Sequence, residues 1–112
     1  MSDDLVALRH ILEAITYIEA YASVGYDEYL QHKHWYDSIV RRLEVIGEAT
    51  KQLGAECRAL APEVKWKRVA GLRDVLIHRY WDVDEELIWK IVDRDLPTLK
   101  QAVIRLIAAL GG

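Results

Sequence analysis

Helical periodicity runs through almost the whole chain and leaves little room for another fold. Leu5, Leu8, Leu12, Ile15 and Ile18 recur at steps of three and four, which lines one face of a helix with apolar side chains. Ser2 or Asp3 can cap that helix and Gly25 can end it, with Tyr26-Asp27-Glu28 as a short restart. A long helix is predicted from about His34 to Leu53, carrying Trp35, Ile39, Leu43 and Ile46 on one face, with Gly54 as its stop. Cys57 to Leu60 can form one helical turn before Pro62 limits it. The next helix is expected to start near Lys65 or Trp66 and to run through Leu72 and Leu76 to about Tyr80. Gly71 inside it costs about 1 kcal/mol relative to alanine, which suggests close packing at that point.

Two further helices follow. Asp82 with Glu85 three residues later has the form of a capping box ahead of Leu87, Ile88, Ile91 and Val92. Asp95-Leu96-Pro97 reads as a break and a new cap, since proline is tolerated in a first helical turn. Leu99, Val103, Leu106, Ile107 and Leu110 then lead to Gly111-Gly112. No strand pattern competes, so the expected architecture is an all-α bundle of four or five helices. With 112 residues, one domain spanning 1–112 is expected.

Composition narrows the function classes. No apolar run approaches the ~18 residues of a membrane span. Met1-Ser2-Asp3-Asp4 lacks the basic head of a signal peptide, and a single cysteine, Cys57, precludes an internal disulfide, so a cytoplasmic location is expected. The net charge of −3 argues against a general nucleic-acid coat. Charge is uneven, however. Residues 1–30 hold Asp3, Asp4, Glu13, Glu19, Asp27 and Glu28 against Arg9 alone. Residues 65–80 hold Lys65, Lys67, Arg68, Arg73 and Arg79 against Asp74. That basic stretch can attract phosphate or simply face solvent.

Within it lies Arg73-Asp74-Val75-Leu76-Ile77-His78-Arg79-Tyr80. A guanidinium matches the planar, multi-oxygen phosphate group, and an imidazole can move a proton near neutral pH. An RNA 2′-hydroxyl can attack the adjacent phosphorus if one imidazole takes its proton and a second protonates the leaving 5′-oxygen, with no metal required. Asp74 can orient Arg73 or His78, or bridge to a neighbouring basic group. The bare arginine–histidine spacing arises by chance with probability of roughly 0.3, and a following tyrosine lowers that to about 0.02. A capping histidine with flanking surface arginines is the competing reading. At about 100° per residue, His78 lies about 140° from Arg73 on a helix. Either the helix loosens after Ile77, or two copies of the chain share one cleft across a two-fold axis.

Other polar features are weaker. His32 and His34 point to different faces and make a poor metal pair. Glu44 and Glu48 lie one turn apart but have no accompanying Glu-x-x-His, and intrahelical pairing with Arg41 and Lys51 is expected for them. Trp35, Trp66, Trp81 and Trp89 suit either core anchoring or a surface between copies.

The chain resembles the HepT-type toxins of the HEPN superfamily, small all-α proteins from prokaryotes. The resemblance is carried by Asp37-Ser38-Ile39-Val40-Arg41-Arg42-Leu43-Glu44-Val45-Ile46-Gly47-Glu48-Ala49, by Pro62 and Trp66, and by Ala70-Gly71-Leu72 leading into Arg73, His78 and Tyr80. It extends to Val83-Asp84, Trp89 and Asp95-Leu96-Pro97-Thr98-Leu99. It implies a HEPN-type bundle, a homodimer, and a metal-independent endoribonuclease in which Arg73 holds the scissile phosphate and His78 transfers protons. Asp74, at a position often occupied by asparagine in relatives, has a supporting role. The implied partner is a minimal nucleotidyltransferase antitoxin, which uses ATP and Mg²⁺ to transfer AMP to Tyr80. The added charge and bulk would block the site where RNA phosphate must sit. The alternative is a non-catalytic helical dimer that serves as a binding or regulatory subunit of such a nucleotidyltransferase.

Overall fold

The computed structural model describes residues 3–79, 81 and 83–112. Seven α-helices appear among them: α1 (Asp3–Ala22), α2 (Tyr26–Gln31), α3 (Lys33–Thr50), α4 (Ala55–Ala59), α5 (Trp66–His78), α6 (Glu85–Lys90) and α7 (Leu96–Ala109). The expected four or five helices correspond to the long members plus α6. The other two are α2, which begins at the expected short restart, and α4, which falls near the turn expected at Cys57; they have six and five residues and are too short to show an apolar period.

The core forms where α1 packs on α3 and α7. Leu8, Ile11, Ile15 and Ile18 of α1 meet Ile39, Leu43 and Ile46 of α3 and Ala102, Val103 and Leu106 of α7, all buried. Sealing each large aliphatic side chain from water contributes roughly 1.5–3 kcal/mol. Thr50 is also buried; its hydroxyl donates to the Ile46 carbonyl at 2.7 Å, so no polar atom is orphaned. α5 packs on α3 from the other side. A cavity of about 320 Å³ lies behind it, walled by Leu43 and Ile46 of α3, Val69 and Leu72 of α5, and Leu96 and Leu99 of α7.

Connections are fixed by specific hydrogen bonds. Gly25 takes φ 91°, a left-handed conformation costly for residues with a Cβ, and closes α1 by donating its N–H to the Ala22 carbonyl. Gly54 does not end α3, which stops at Thr50; it precedes α4, and its N–H donates to Asp4 Oδ1 at 2.9 Å. Trp66 is a buried anchor whose Nε1 donates to the carbonyls of Arg58 and Ala61, both at 3.0 Å. Tyr29 and Tyr36 donate their hydroxyls to the carbonyls of Glu85 and Val83 at 2.7 and 3.1 Å, pinning the entry to α6.

Two expected boundaries change. The cap of α6 is Asp84, whose side chain accepts from the Leu87 N–H at 2.8 Å, while Glu85 is the first helical residue. Asp82 lies outside the described residues, as does Ser2 at the start of α1. The break expected at Asp95-Leu96-Pro97 does not occur. A π-helical turn over Ile91–Asp95 joins α6 to α7, with the Leu96 N–H donating to the Ile91 carbonyl. Asp95 has helical φ and ψ and makes no side-chain cap. Proline clashes with the carbonyl four residues earlier in a regular helix. The wider turn immediately before Pro97 gives the ring room and lets the helical path continue.

Candidate active site

Arg73 and His78 both lie on α5, which remains helical through His78 and departs only at Arg79, where φ is −128°. The last turn is held by the Arg79 N–H donating to the Val75 carbonyl at 2.8 Å. The expected loosening after Ile77 is therefore absent. Helical geometry keeps the two side chains about 140° apart around the axis and roughly 7 Å apart along it. Within one chain they point to different sides of α5.

Arg73 sits where α5 crosses α3 most closely. A Cβ on Gly47 would stand 2.8 Å from the Arg73 backbone nitrogen and 3.2 Å from the Val69 carbonyl oxygen. Glycine at 47 is what permits this approach. Gly71, expected to mark close packing, has nothing within 4 Å of its would-be Cβ. It faces outward instead.

The crossing gives Arg73 its orientation. Its Nε meets Glu48 Oε2 at 3.2 Å, and its Nη1 is 3.9 Å from Asp74 Oδ1. Asp74 in turn receives Lys51 Nζ at 3.3 Å on both carboxylate oxygens. Glu48 and Lys51 thus reach across to α5. The intrahelical pairs expected for Glu44 and Glu48 with Arg41 and Lys51 are not formed among the described residues. These groups are about half exposed, where ion pairs contribute about 0–1 kcal/mol, so their effect is to aim the guanidinium rather than to stabilise the fold. With Nε on Glu48 and Nη1 turned toward Asp74, Nη2 is the guanidinium nitrogen left to meet an oxyanion. Asp74 bridges Lys51 and Arg73 and makes no hydrogen bond to His78. His78 is exposed and, among the described residues, has no side-chain hydrogen bond. Tyr80 lies outside the described residues.

Glu48, Lys51 and Gly47 were not foreseen as part of the site. The available signal was a glycine in the middle of a long amphipathic helix, flanked by Glu48 and with Lys51 one turn on. Around the end of α5, Val75, Ile77 and Trp81 are exposed, Trp81 at 80%. Of the four tryptophans, Trp66 is buried, Trp35 and Trp89 pack partly against the core, and Trp81 stands in solvent. His32 and His34 have ring centroids 5.8 Å apart. Among the described residues, no three His, Cys, Asp or Glu side chains gather as a metal site would need. No described helix is long and apolar enough to cross a membrane.

An all-helical bundle bearing an outward arginine and histidine on one helix defines a class, and comparison with known proteins specifies it. Residues 11–106 match the family model described as "Ribonuclease HepT-like". A Methanocaldococcus jannaschii protein described as "Gamma-glutamylcyclotransferase and putative RNase" is 38% identical over 109 residues, covering 96% of this chain and 49% of that protein. The chain thus spans about half the length of that relative. A second M. jannaschii protein, described as a "Putative RNase", is 39% identical, with 86% of this chain and 89% of the relative covered. A Thermococcus cleftensis protein described as "Probable ribonuclease HepT" is 39% identical, with 83% and 86% covered. No solved structure matches significantly. The chain belongs to the HepT-like ribonuclease family.

Proposed function

We propose that this protein is a metal-independent endoribonuclease toxin whose active site is shared by two copies of the chain. The observation that carries this reading is the geometry of α5. Arg73 is aimed by Glu48, His78 is exposed, and the unbroken helix turns them apart. One chain presents half of the machinery to each side. A two-fold axis beside α5 supplies two arginines and two histidines to one cleft. The outward face of α5 supports that arrangement: open space beyond Gly71 admits a second backbone, and Val75, one turn further on along the same face, offers apolar contact.

In that cleft the guanidinium of Arg73 binds the scissile phosphate and stabilises charge growing on its oxygens. One copy of His78 takes the proton of the 2′-hydroxyl as its oxygen bonds to phosphorus. The other gives a proton to the 5′-oxygen as the P–O5′ bond breaks, leaving a 2′,3′-cyclic phosphate and a 5′-hydroxyl. Asp74, tied to Lys51, limits the swing of Arg73. The reading extends to a cytoplasmic toxin–antitoxin pair. A minimal nucleotidyltransferase antitoxin, using ATP and Mg²⁺, joins the Tyr80 oxygen to the α-phosphorus of ATP with release of pyrophosphate and the phenolic proton, and so places negative charge beside the RNA-binding site.

The test is incubation of wild-type and His78→Ala protein with total cellular RNA in EDTA, followed by end-group analysis. Cyclic-phosphate ends from wild type alone are expected. Intact RNA from a folded, unmodified wild-type dimer would overturn the catalytic reading.

A further inference from the structure

On the opposite flank of α3 from Arg73, aromatic rings line the seam with α1. Tyr17 and Tyr21 stand one turn apart on α1 with centroids 6.3 Å apart. Tyr21 lies 6.3 Å from Trp35, and Trp35 lies 4.5 Å from His34. The rings thus form one continuous series across two helices. Their orientation is fixed: Trp35 Nε1 donates to Glu28 Oε2 at 3.0 Å, and the Arg42 guanidinium sits 3.9 Å over the Tyr17 ring. Tyr17 is 43% exposed, and His34 is exposed as well.

Cations accompany the rings. Lys33 opens α3, and Arg41 and Arg42 lie at its middle. Among the described residues, no carboxylate forms an ion pair with any of them. At about 100° per residue, Arg41 falls on the outward face of α3, between the ring series and the flank that carries Glu48.

We infer that this strip binds unpaired nucleotides of an RNA strand, with bases stacking on Tyr17, Tyr21 and His34 and phosphates meeting Lys33, Arg41 and Arg42. Every base has a π face, so stacking platforms accept single strands with little sequence preference, while nearby cations track the backbone. A protein partner would favour exposed aliphatic side chains. Exposed aliphatic side chains are instead scattered over the surface, from Val6 and Leu30 to Val75, Leu87 and Ile104, and Tyr17 is the exposed large apolar residue of the ring series. The inference rests on the ribonuclease reading and deepens it: the strip would hold the substrate strand outside the cleft where it is cut.

The experiment separates binding from cleavage. A short, fluorescently labelled, fully 2′-O-methylated RNA strand has no free 2′-hydroxyl to attack phosphorus, so it can be bound but not cut. Its affinity for the full-length protein is measured by anisotropy in EDTA at low and physiological salt. Tyr17→Ala is expected to weaken binding about tenfold or more, and Tyr17→Phe, which keeps the ring, to bind like wild type. Arg42→Gln should weaken binding and lower the salt slope by about 1. Circular dichroism checks that each variant folds. Equal binding by wild type, Tyr17→Ala and Arg42→Gln would overturn the inference, as would no binding by wild type. Loss of nucleotidyltransferase capture in Tyr17→Ala with unchanged RNA affinity would also overturn it and assign the strip to a protein partner. Failure of the ribonuclease reading would look different: wild type would bind the methylated strand yet leave an unmodified strand uncut.

Discussion

α1 and α5 flank the same central helix, and they are built to different standards. α1 buries seven of its twenty residues, five of them large aliphatics. α5 buries Trp66 and Leu76 out of thirteen, and a cavity lies behind it. The first is held by apolar area. The second is held by an anchored start at Trp66 and a close glycine crossing, and its half-exposed ion pairs aim Arg73. Stability is concentrated on one flank of α3, and the candidate chemistry stands on the other. Substitutions on the two flanks should therefore fail in different ways.

The sharpest separation is expected at the site itself. Arg73→Ala or His78→Ala should lower RNA cleavage by about 10²–10⁴-fold, as removal of a phosphate-stabilising or proton-transferring group does. Unfolding midpoints should barely move, since exposed positions change stability by within about 0.5 kcal/mol. A large loss of stability in either variant would break the comparison. On the other flank, Ile15→Ala or Ile18→Ala should cost about 2–5 kcal/mol in urea unfolding. The Ile15 variant should keep its specific activity while it remains folded.

Gly47→Ala tests the boundary between the two regimes. The added methyl meets backbone rather than a flexible side chain, so a cost of about 1–3 kcal/mol is expected. Activity should fall further than stability, because α5 is displaced at Arg73. Tyr29→Phe removes the hydroxyl bonded to the Glu85 carbonyl and should cost about 1 kcal/mol with cleavage retained. Burial and neighbouring acidic groups push that phenol well above its ordinary range, so it remains a donor across accessible pH.

The smallest effect concerns Glu63. Backbone hydrogen bonding and Arg105 at 2.7 Å hold its carboxyl below the usual range. A depressed folded value means that its contribution is present above the unfolded pKa of about 4.3 and is lost as pH falls through the folded value. Glu63→Gln should narrow the stability difference between neutral and strongly acid solution by a barely measurable amount.

The long helices were legible because each repeats an apolar residue every three or four positions against a continuous core. The path through Pro97 was not, because a break and a widened turn share the same Asp-Leu-Pro signature. α7 packs on α1, a long-range contact that the pattern within one segment does not encode. Arg73 and His78 were legible as residue types and as a spacing. The aim of the Arg73 guanidinium was not, since it depends on Glu48 reaching across from another helix. Gly71 attracted attention as a helix-weakening residue while Gly47, equally internal to its helix, carries the crossing. Glycine in a sequence marks a missing side chain without saying which neighbour needs the space.

That missing side chain has a genetic consequence. Any base change in a glycine codon that yields another amino acid installs a Cβ, so position 47 has no conservative missense neighbour. A random-mutagenesis selection for clones freed of ribonuclease activity should recover lesions at codon 47 alongside those at 73 and 78. The first would leave every chemical group of the site in the polypeptide and the Arg73 guanidinium out of register.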